Sequence, residues 1–190
     1  MNRSENGYAP QKGFLQSIME KIPSLYSEQM PRWELLEIDP ILDSSNMTVV
    51  EWNLIGSIIE ENYERFDGFV ILHGTDTMAY TASALSFSLE NLDKPVIVTG
   101  SQIPLFEVRN DALDNLLTSM LIAGEGRVKE IALYFDNELY RGNRATKMSA
   151  TDLHAFGSPN YPPLATTPTF AGCCENCLSQ GKAIAPSLVV

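Results

Sequence analysis

The sequence predicts an α/β fold with a doubly wound, mainly parallel sheet. Three apolar runs have the length and the β-branched content of buried strands, and they cover residues 69–72, 96–99 and 131–135. Segments with helical spacing separate these runs. Strands that alternate with helices form a parallel sheet with right-handed crossovers. The 190 residues are enough for one large domain with a substantial core.

The first forty residues are expected to contain only short elements. Residues 1–13 are polar and contain glycine and proline, which predicts a mobile loop. Apolar residues then recur at helical spacing over 14–21, and Pro23 follows them, so a short helix is expected there. Residues 33–38 have the pattern of a strand.

The helix that follows Thr48 has the clearest local signal. Thr48 and Glu51 have the spacing of a capping box, and apolar residues continue on one helical face as far as Tyr63. Two more helices are predicted over about 77–92 and 111–123. A pair of glycines ends the second of these.

The last part of the chain shows no convincing period. Prolines make the region after about 156 irregular, and we expect a domain over 1–167 and an irregular tail over 168–190. All the cysteines lie in this tail. They could bind a metal, but no second ligand pair follows them, so unpaired reduced thiols are the alternative. The cysteines are Cys173, Cys174 and Cys177.

Composition limits the expected partners. A net charge of −11 and a sequence pI of about 4.5 would repel a phosphate backbone, so nucleic acid is not expected to bind. No apolar run approaches the roughly 18 residues that a membrane helix needs, so no membrane partner is expected. The chain starts with polar residues and shows no secretory signal, which predicts a cytoplasmic location.

A polar turn follows the first of the three apolar runs and should connect a strand to a helix. It consists of His73, Gly74, Thr75, Asp76 and Thr77. Two hydroxyls and a carboxylate beside a glycine provide a candidate nucleophile and an orienting group at the edge of a sheet. The alternative is that Thr75 or Asp76 only caps the helix that follows.

Several motifs together resemble those of the bacterial-type L-asparaginases, and most closely their cytoplasmic type I branch. One is the His-Gly-Thr-Asp-Thr turn within 67–87, and another is Lys-Pro-Val-Ile-Val-Thr-Gly-Ser-Gln-Ile-Pro over 94–104. A third is Leu-Tyr-Arg-Gly-Asn-Arg-Ala-Thr-Lys over 139–147. With shorter matches at 6–8, 42–45 and 158–160, the resemblance covers about 1–167.

The resemblance implies an enzyme that hydrolyses L-asparagine to L-aspartate and ammonia without cofactor or metal. Thr75, Asp76 and Lys147 match the catalytic triad of the family. A threonine hydroxyl needs a base to take its proton, and a lysine amine can be that base once burial lowers its pKa. Asp76 would orient the lysine and would also receive the α-ammonium group of the substrate.

The resemblance also implies a set of substrate-binding residues. Asp43, Ser44 and Ser45 match the loop that binds the α-carboxylate of the substrate, and Ser101 matches the position that faces the side-chain amide. Without the resemblance, these serines would be assigned to caps and turns. Tyr8 matches the catalytic tyrosine of a flexible lid that excludes water.

The chain departs from the family pattern at its start. Members of the family open with a strand that ends in Thr-Gly-Gly-Thr-Ile, and the first threonine is their usual nucleophile. No counterpart precedes Met1, so we expect a gap of about 10 Å in the sheet, or mispaired neighbours, and exposed strand edges. The alternative to an active enzyme is therefore an inactive fragment that binds amino acid or associates with a full-length subunit.

The last points concern the assembly of the protein and an alternative fold family. The resemblance implies a homodimer or tetramer for the complete protein. A nucleotide-binding Rossmann domain would fit the order of strands and helices, but the sequence lacks the Gly-x-Gly-x-x-Gly turn of such domains.

Overall fold

The computed structural model describes residues 13–39 and 41–166, together with the backbone of three short strands at 2–4, 7–9 and 186–189. The helices are α1 Phe14–Met19, α2 Val49–Asn62, α3 Met78–Ser88 and α4 Ala112–Glu125, with 3-10 helices at Pro23–Tyr26 and Ser44–Asn46. The strands are β1 Asn2–Ser4, β2 Gly7–Ala9, β3 Glu34–Leu36, β4 Gly68–Leu72, β5 Val96–Thr99, β6 Ile131–Phe135, β7 Glu138–Arg141, β8 Thr146–Lys147, β9 Phe156–Gly157, β10 Ala165–Thr166 and β11 Pro186–Val189.

The main sheet confirms the predicted fold class. Its strand order is β10, β7, β6, β5, β4, β11, β3, and the five strands from β6 to β3 run parallel. β7 and β10 add an antiparallel edge. All three apolar runs of the sequence are neighbouring central strands, as the alternation of strands and helices indicates.

Helices cover both faces of this sheet. Alternate residues of β4 point to opposite faces: Phe69 and Ile71 belong to the core cluster formed with α2 and α3, and Val70 belongs to the cluster formed with α1 and α4. Burial on both faces explains why the central strands are apolar without alternation. The carboxyl ends of β4 and β5 consequently open on the same edge of the sheet, between the two helical layers.

The predicted helices are present, with small differences at their ends. The capping box is complete in α2, where Thr48 Oγ1 accepts from Val50 N at 3.2 Å and Thr48 N donates to Glu51 Oε2 at 2.7 Å. α4 ends at Gly126, which has a left-handed φ of 67°. α3 stops at Ser88 rather than near 92, because the next residue already has extended backbone.

The expectation for residues 1–13 was wrong in part. They were expected to form a loop, whereas β1 and β2 pair in an antiparallel hairpin with Arg3 opposite Tyr8. Only two residues separate these strands, which is the usual length of a tight hairpin connection. The side chain of Tyr8 lies outside the described part of the structure.

The region after β6 contains strands that the sequence pattern did not predict. β7 pairs antiparallel with β6, β8 pairs with β9, and β10 pairs with β7. β7 follows β6 through Asp136 and Asn137, which both have positive φ. Such a two-residue connection with positive φ angles is typical of a tight hairpin.

The expected gap in the sheet is not present. β11 lies between β3 and β4 and pairs parallel with both, so that Leu188 is opposite Leu35 on one side and Val70 on the other. The expectation of an irregular tail over 168–190 was thus wrong at 186–189, because an open position beside two parallel strands satisfies the backbone of a short extended segment. The cysteines, and the rest of that tail, lie outside the described residues.

Candidate functional site

The turn after β4 is packed against the loop that precedes α2. Thr77 Oγ1 donates to the carbonyl of Ser44 at 2.6 Å, which ties the two segments together. A Cβ on Gly74 would lie 2.2 Å from Ser44 Oγ, and one on Gly100 would lie 2.1 Å from the carbonyl oxygen of His73. A larger residue would displace the side chain of Ser44 at the first position and would force the ends of β4 and β5 apart at the second, so glycine fits both.

Thr75, Asp76 and Lys147 meet at this turn. Lys147 Nζ lies 2.9 Å from Thr75 Oγ1 and 3.0 Å from Asp76 Oδ1. The lysine side chain is 20% exposed, and the aspartate side chain is 67% exposed. One amine thus contacts a half-buried hydroxyl and a carboxylate that is open to solvent.

A hairpin brings Lys147 to the turn from 71 residues further along the chain. Lys147 on β8 is paired with Phe156 on β9, and the next residue, Met148, donates its N–H to Ala155 O at 2.7 Å. The buried Tyr140 anchors this hairpin, since its hydroxyl donates to Phe156 O at 3.0 Å. The position of the amine is therefore determined by packed backbone rather than by a free surface loop.

Gln102 completes the surroundings of the Thr75 hydroxyl and was not among the predicted site residues. Thr75 Oγ1 donates to Gln102 Oε1 at 3.1 Å. The carboxylate of Asp111 binds this loop, accepting from Gln102 N at 2.9 Å and from Ile103 N at 2.8 Å. Two signals in the sequence could have indicated it. Gln102 directly follows Ser101, and Asp111 lies just before α4, where an aspartate is usually interpreted as a helix cap.

His73 lies beside the turn and is half-buried. Burial lowers its pKa from the ordinary value of 6.5, and the hydrogen bond to the carbonyl of Gly74 opposes this effect. The main chain of His73 is also fixed, because its N–H donates to Thr99 O at 2.8 Å. The residue therefore connects the end of β5 with the turn that carries Thr75.

A cavity of about 450 Å³ opens at this edge of the sheet. Asp43, Ser44, Thr75, Asp76 and Ser101 line it together, so it contains most of the polar residues selected from the sequence. The lining also has apolar side chains, which include Phe14, Leu15, Ile18, Leu105 and Phe106. Concave sites with an apolar wall and a few converging polar groups are typical of small-molecule binding.

Lys147 contacts Thr75 and Asp76 without lining the cavity, and Ser45 stands apart from both groups. Ser45 is exposed, and its N–H donates to Asp43 Oδ1 at 2.9 Å. Asp43 thus caps the 3-10 helix, and Ser45 takes part in that turn, which agrees with the cap or turn expected of the serines without the resemblance. Tyr8 lies on β2, whose side chains are not described, so its relation to the cavity stays a prediction.

The cluster has the components of nucleophilic catalysis by a hydroxyl. Thr75 accepts a hydrogen bond from the amine and donates one to the amide oxygen of Gln102. A nucleophile, an amine within hydrogen-bond reach and a carboxylate that orients the amine form the arrangement expected of an activated hydroxyl. Among the described residues, no group of three or more His, Cys, Asp or Glu side chains could hold a metal ion. Within the same residues, no helix is long and apolar enough to cross a bilayer.

Comparisons with known proteins agree with this reading of the motifs. L-asparaginase 1 of Escherichia coli K12 is 54% identical over 164 residues, which are 86% of this chain and 48% of that protein. The 60 kDa lysophospholipase of Homo sapiens is 48% identical over 145 residues, or 76% of this chain and 25% of that protein. The crystal structure of L-asparaginase I from Vibrio cholerae matches with a TM-score of 0.77 and 51% identity, covering 82% of this chain and 47% of that one. The family model described as Asparaginase, N-terminal, matches residues 1–172, and the chain belongs to the asparaginase family.

Proposed function

We propose that the protein to which this chain belongs hydrolyses the side-chain amide of L-asparagine, giving L-aspartate and ammonia. The observation that carries the proposal is the contact of Lys147 Nζ with both Thr75 Oγ1 and Asp76 Oδ1. The names of the relatives support it, since L-asparaginases span much of this sequence. The chain spans about half the length of the Escherichia coli relative, 48%, so the reaction of the whole protein is part of the proposal.

In this mechanism Thr75 attacks the amide carbon of the substrate. Lys147, in its uncharged form, takes the hydroxyl proton, and Asp76 orients the amine through its carboxylate. The hydroxyl must first turn from Gln102 toward the amine, because in the structure it donates to Gln102 Oε1. Ammonia leaves after the tetrahedral intermediate accepts a proton, and water completes the hydrolysis.

The polar end of the cavity provides contacts for the rest of the substrate. Asp76 accepts from the α-ammonium group, since its carboxylate is 67% exposed and only Oδ1 contacts the amine of Lys147. The loop at Asp43, Ser44 and Ser45 donates to the α-carboxylate through hydroxyl and main-chain groups. Ser101, which also lines the cavity, faces the side-chain amide in this proposal.

The proposal is tested by ammonia release from L-asparagine, with Thr75→Val compared to Thr75→Ser. Valine has the shape of threonine without the hydroxyl, so we expect loss of turnover, whereas serine keeps a nucleophile and should retain part of it. Equal rates for the parent chain and Thr75→Val would contradict the assignment of the nucleophile.

A second comparison separates catalysis from binding. The chain is assayed with and without an added strand that ends in Thr-Gly-Gly-Thr-Ile, and L-aspartate binding is measured by calorimetry. Turnover only in the extended form, with binding in both, would favour the inactive fragment that binds amino acid. Equal and robust turnover in both forms would favour Thr75 as a sufficient nucleophile. Absence of both turnover and binding in the two forms would contradict the proposal.

A second candidate function is hydrolysis of the ester of a lysophospholipid. The apolar part of the cavity lining, which includes Phe14, Ile18 and Phe106, favours it because this surface could accommodate an acyl chain. A human relative carries the name 60 kDa lysophospholipase. Release of fatty acid from a lysophosphatidylcholine, abolished by Thr75→Val, would support this candidate, and ammonia release alone would exclude it.

The location and the assembly of the protein are also proposals. We propose a cytoplasmic enzyme that forms a homodimer or tetramer, which the resemblance to the type I branch supports. Size-exclusion chromatography with light scattering measures the assembly, and a monomer for the complete protein would contradict it.

A further inference from the structure

A series of three hydrogen bonds connects α2 and α3 to the turn that carries Thr75. The Nε1 of Trp52 on α2 lies 2.9 Å from Thr81 Oγ1 on α3, and this oxygen lies 2.8 Å from His73 Nε2. The other ring nitrogen, Nδ1, lies 2.7 Å from the carbonyl oxygen of Gly74. We propose that this series of hydrogen bonds holds His73 neutral with its proton on Nδ1, and that His73 is a positioning residue for the turn.

The outermost groups of this series, the indole of Trp52 and the carbonyl of Gly74, determine the direction of the three hydrogen bonds. The indole N–H of Trp52 can only donate, so Thr81 Oγ1 accepts from it. The carbonyl oxygen of Gly74 can only accept, so Nδ1 of His73 must carry a proton. In a neutral ring Nε2 is then an acceptor, and it receives the hydroxyl proton of Thr81. In this arrangement every donor in the series has an acceptor.

The surroundings of Thr81 favour the neutral ring. Thr81 is 0% exposed, so water is not available to its hydroxyl. If Nε2 of His73 were also protonated, Thr81 Oγ1 would face two N–H donors, and its own proton would lose the acceptor that the structure gives it. A buried hydroxyl proton without an acceptor costs free energy. Burial lowers the pKa of His73, which acts in the same direction.

The bond from Nδ1 acts on the peptide that joins Gly74 to Thr75. Because this peptide is planar, the orientation of the Gly74 carbonyl also determines the direction of the Thr75 N–H. The turn has little freedom to compensate, since a Cβ on Gly74 would lie 2.2 Å from Ser44 Oγ. The imidazole thereby determines where Thr75 Oγ1 lies relative to Lys147 Nζ, 2.9 Å away.

The position of the proton can be measured directly on the whole chain. The sequence has 2 histidines, so a long-range ¹H–¹⁵N correlation spectrum of the ¹⁵N-labelled protein shows two imidazoles. We expect one of them to be neutral at neutral pH, with a protonated Nδ1 and a bare Nε2, and to disappear in His73→Gln. An imidazolium, or a proton on Nε2 of His73, would overturn the inference. This readout needs no catalytic activity.

The positioning effect is tested with Thr81→Val, with Thr81→Ser as the conservative variant and Thr118→Val as a matched exchange. Thr118 is a buried helical threonine, 6% exposed, on α4. Valine at 81 removes the donor to Nε2, so we expect the His73 spectrum to shift toward a mixture of tautomers. We also expect the turnover of asparagine to fall about tenfold at an unchanged KM, the effect of losing one hydrogen bond. Thr81→Ser and Thr118→Val should retain both.

The two possible failures are distinguishable. This turnover test rests on the proposed function and uses the form of the protein that releases ammonia, with the added strand where turnover needs it. Absence of ammonia release and of L-aspartate binding in both forms of the parent would contradict that function. The spectrum of the parent chain would still decide the inference, even if Thr81→Val did not fold. An unchanged spectrum and unchanged turnover in a folded Thr81→Val would overturn the positioning role.

Discussion

Lys147 is the residue that joins the parts of the candidate site. Its amine contacts Thr75 and Asp76, which come from a different part of the chain, and its stem is mostly covered. Asp76 is exposed, so the ion pair itself adds little to stability, and its value lies in the geometry that it gives the amine. The site is therefore expected to depend on Lys147 for turnover more than for substrate affinity.

We predict that Lys147→Met lowers turnover by a factor of about 10² to 10⁴, the usual contribution of a general base, while substrate binding changes much less. Methionine keeps most of the volume of the side chain and removes the amine. Lys129→Met, at an exposed lysine just before β6, is the control. Initial rates of ammonia release give kcat and KM. A near-normal kcat for Lys147→Met would contradict the assignment of Lys147 as the general base.

His73 gives the folded state a dependence on pH. Its pKa in the folded chain is lowered from 6.5 by burial, so below about pH 6.5 the unfolded chain binds more protons than the folded chain. The contribution of the neutral ring is fully present above that pH and is lost as the pH falls through the folded pKa. Glu51 and Asp93 also have lowered pKa values, but their ordinary values of 4.5 and 3.8 place their effects at lower pH.

We therefore predict that the free energy of unfolding decreases as the pH falls below about 6.5, and that His73→Gln reduces this slope. Urea denaturation at several pH values in that window measures both. A slope that is identical in the two proteins would show that protonation of His73 does not limit stability there.

At the scale of elements, α2 is the helix whose start depends most on particular side chains. Thr48 and Glu51 satisfy each other's main-chain groups, and a helix without such caps leaves its first N–H groups unpaired. This helix carries Trp52 and also packs Ile55 and Ile59 into the core. A change at its cap should therefore be felt in the stability of the whole domain.

We predict that Thr48→Ala lowers the free energy of unfolding by about 1 kcal/mol, the usual cost of losing a threonine cap, whereas Thr48→Ser has a smaller effect. Urea denaturation followed by circular dichroism measures the difference. Equal losses for alanine and serine would mean that the hydroxyl does not cap the helix in solution.

The same elements show what the sequence could predict. β4, β5, β6 and α2 were predictable because their signals are local: apolar runs in the strands and cap spacing in the helix. β7 and β10 were not, since a short antiparallel strand is defined by the partner beside it. The triad of Thr75, Asp76 and Lys147 came from the resemblance and not from periodicity. Gln102 was missed because its contact with Thr75 joins positions 27 residues apart.

At the scale of the whole molecule, the central feature is the position of β11. It separates β3 from β4 and is paired on both sides, so the edge strand β3 and the interior strand β4 both depend on it. Its absence would leave two unpaired parallel edges next to the cavity. The segment with the weakest sequence signal thus occupies one of the most connected positions in the fold.

We predict that Leu188→Pro exposes the main chain of β3 and β4, because proline removes an N–H from the ladder and is not tolerated in an interior strand. Amide hydrogen exchange at Leu35 and Val70, the partners of Leu188, should accelerate strongly relative to amides in β6. Gln180→Pro, at a position before the strand, is the control. Unchanged exchange at Leu35 and Val70 would contradict the pairing of β11.

The order in which the strands are made adds a consequence for folding in the cell. β11 is synthesised after every other described strand, yet it must enter between β3 and β4, which leave the ribosome much earlier. This part of the sheet therefore cannot close until β11 has been made, and parallel pairing between distant segments is slow. Growing chains would expose two open strands during that delay, which makes them candidates for chaperone protection and prone to aggregation when expressed quickly.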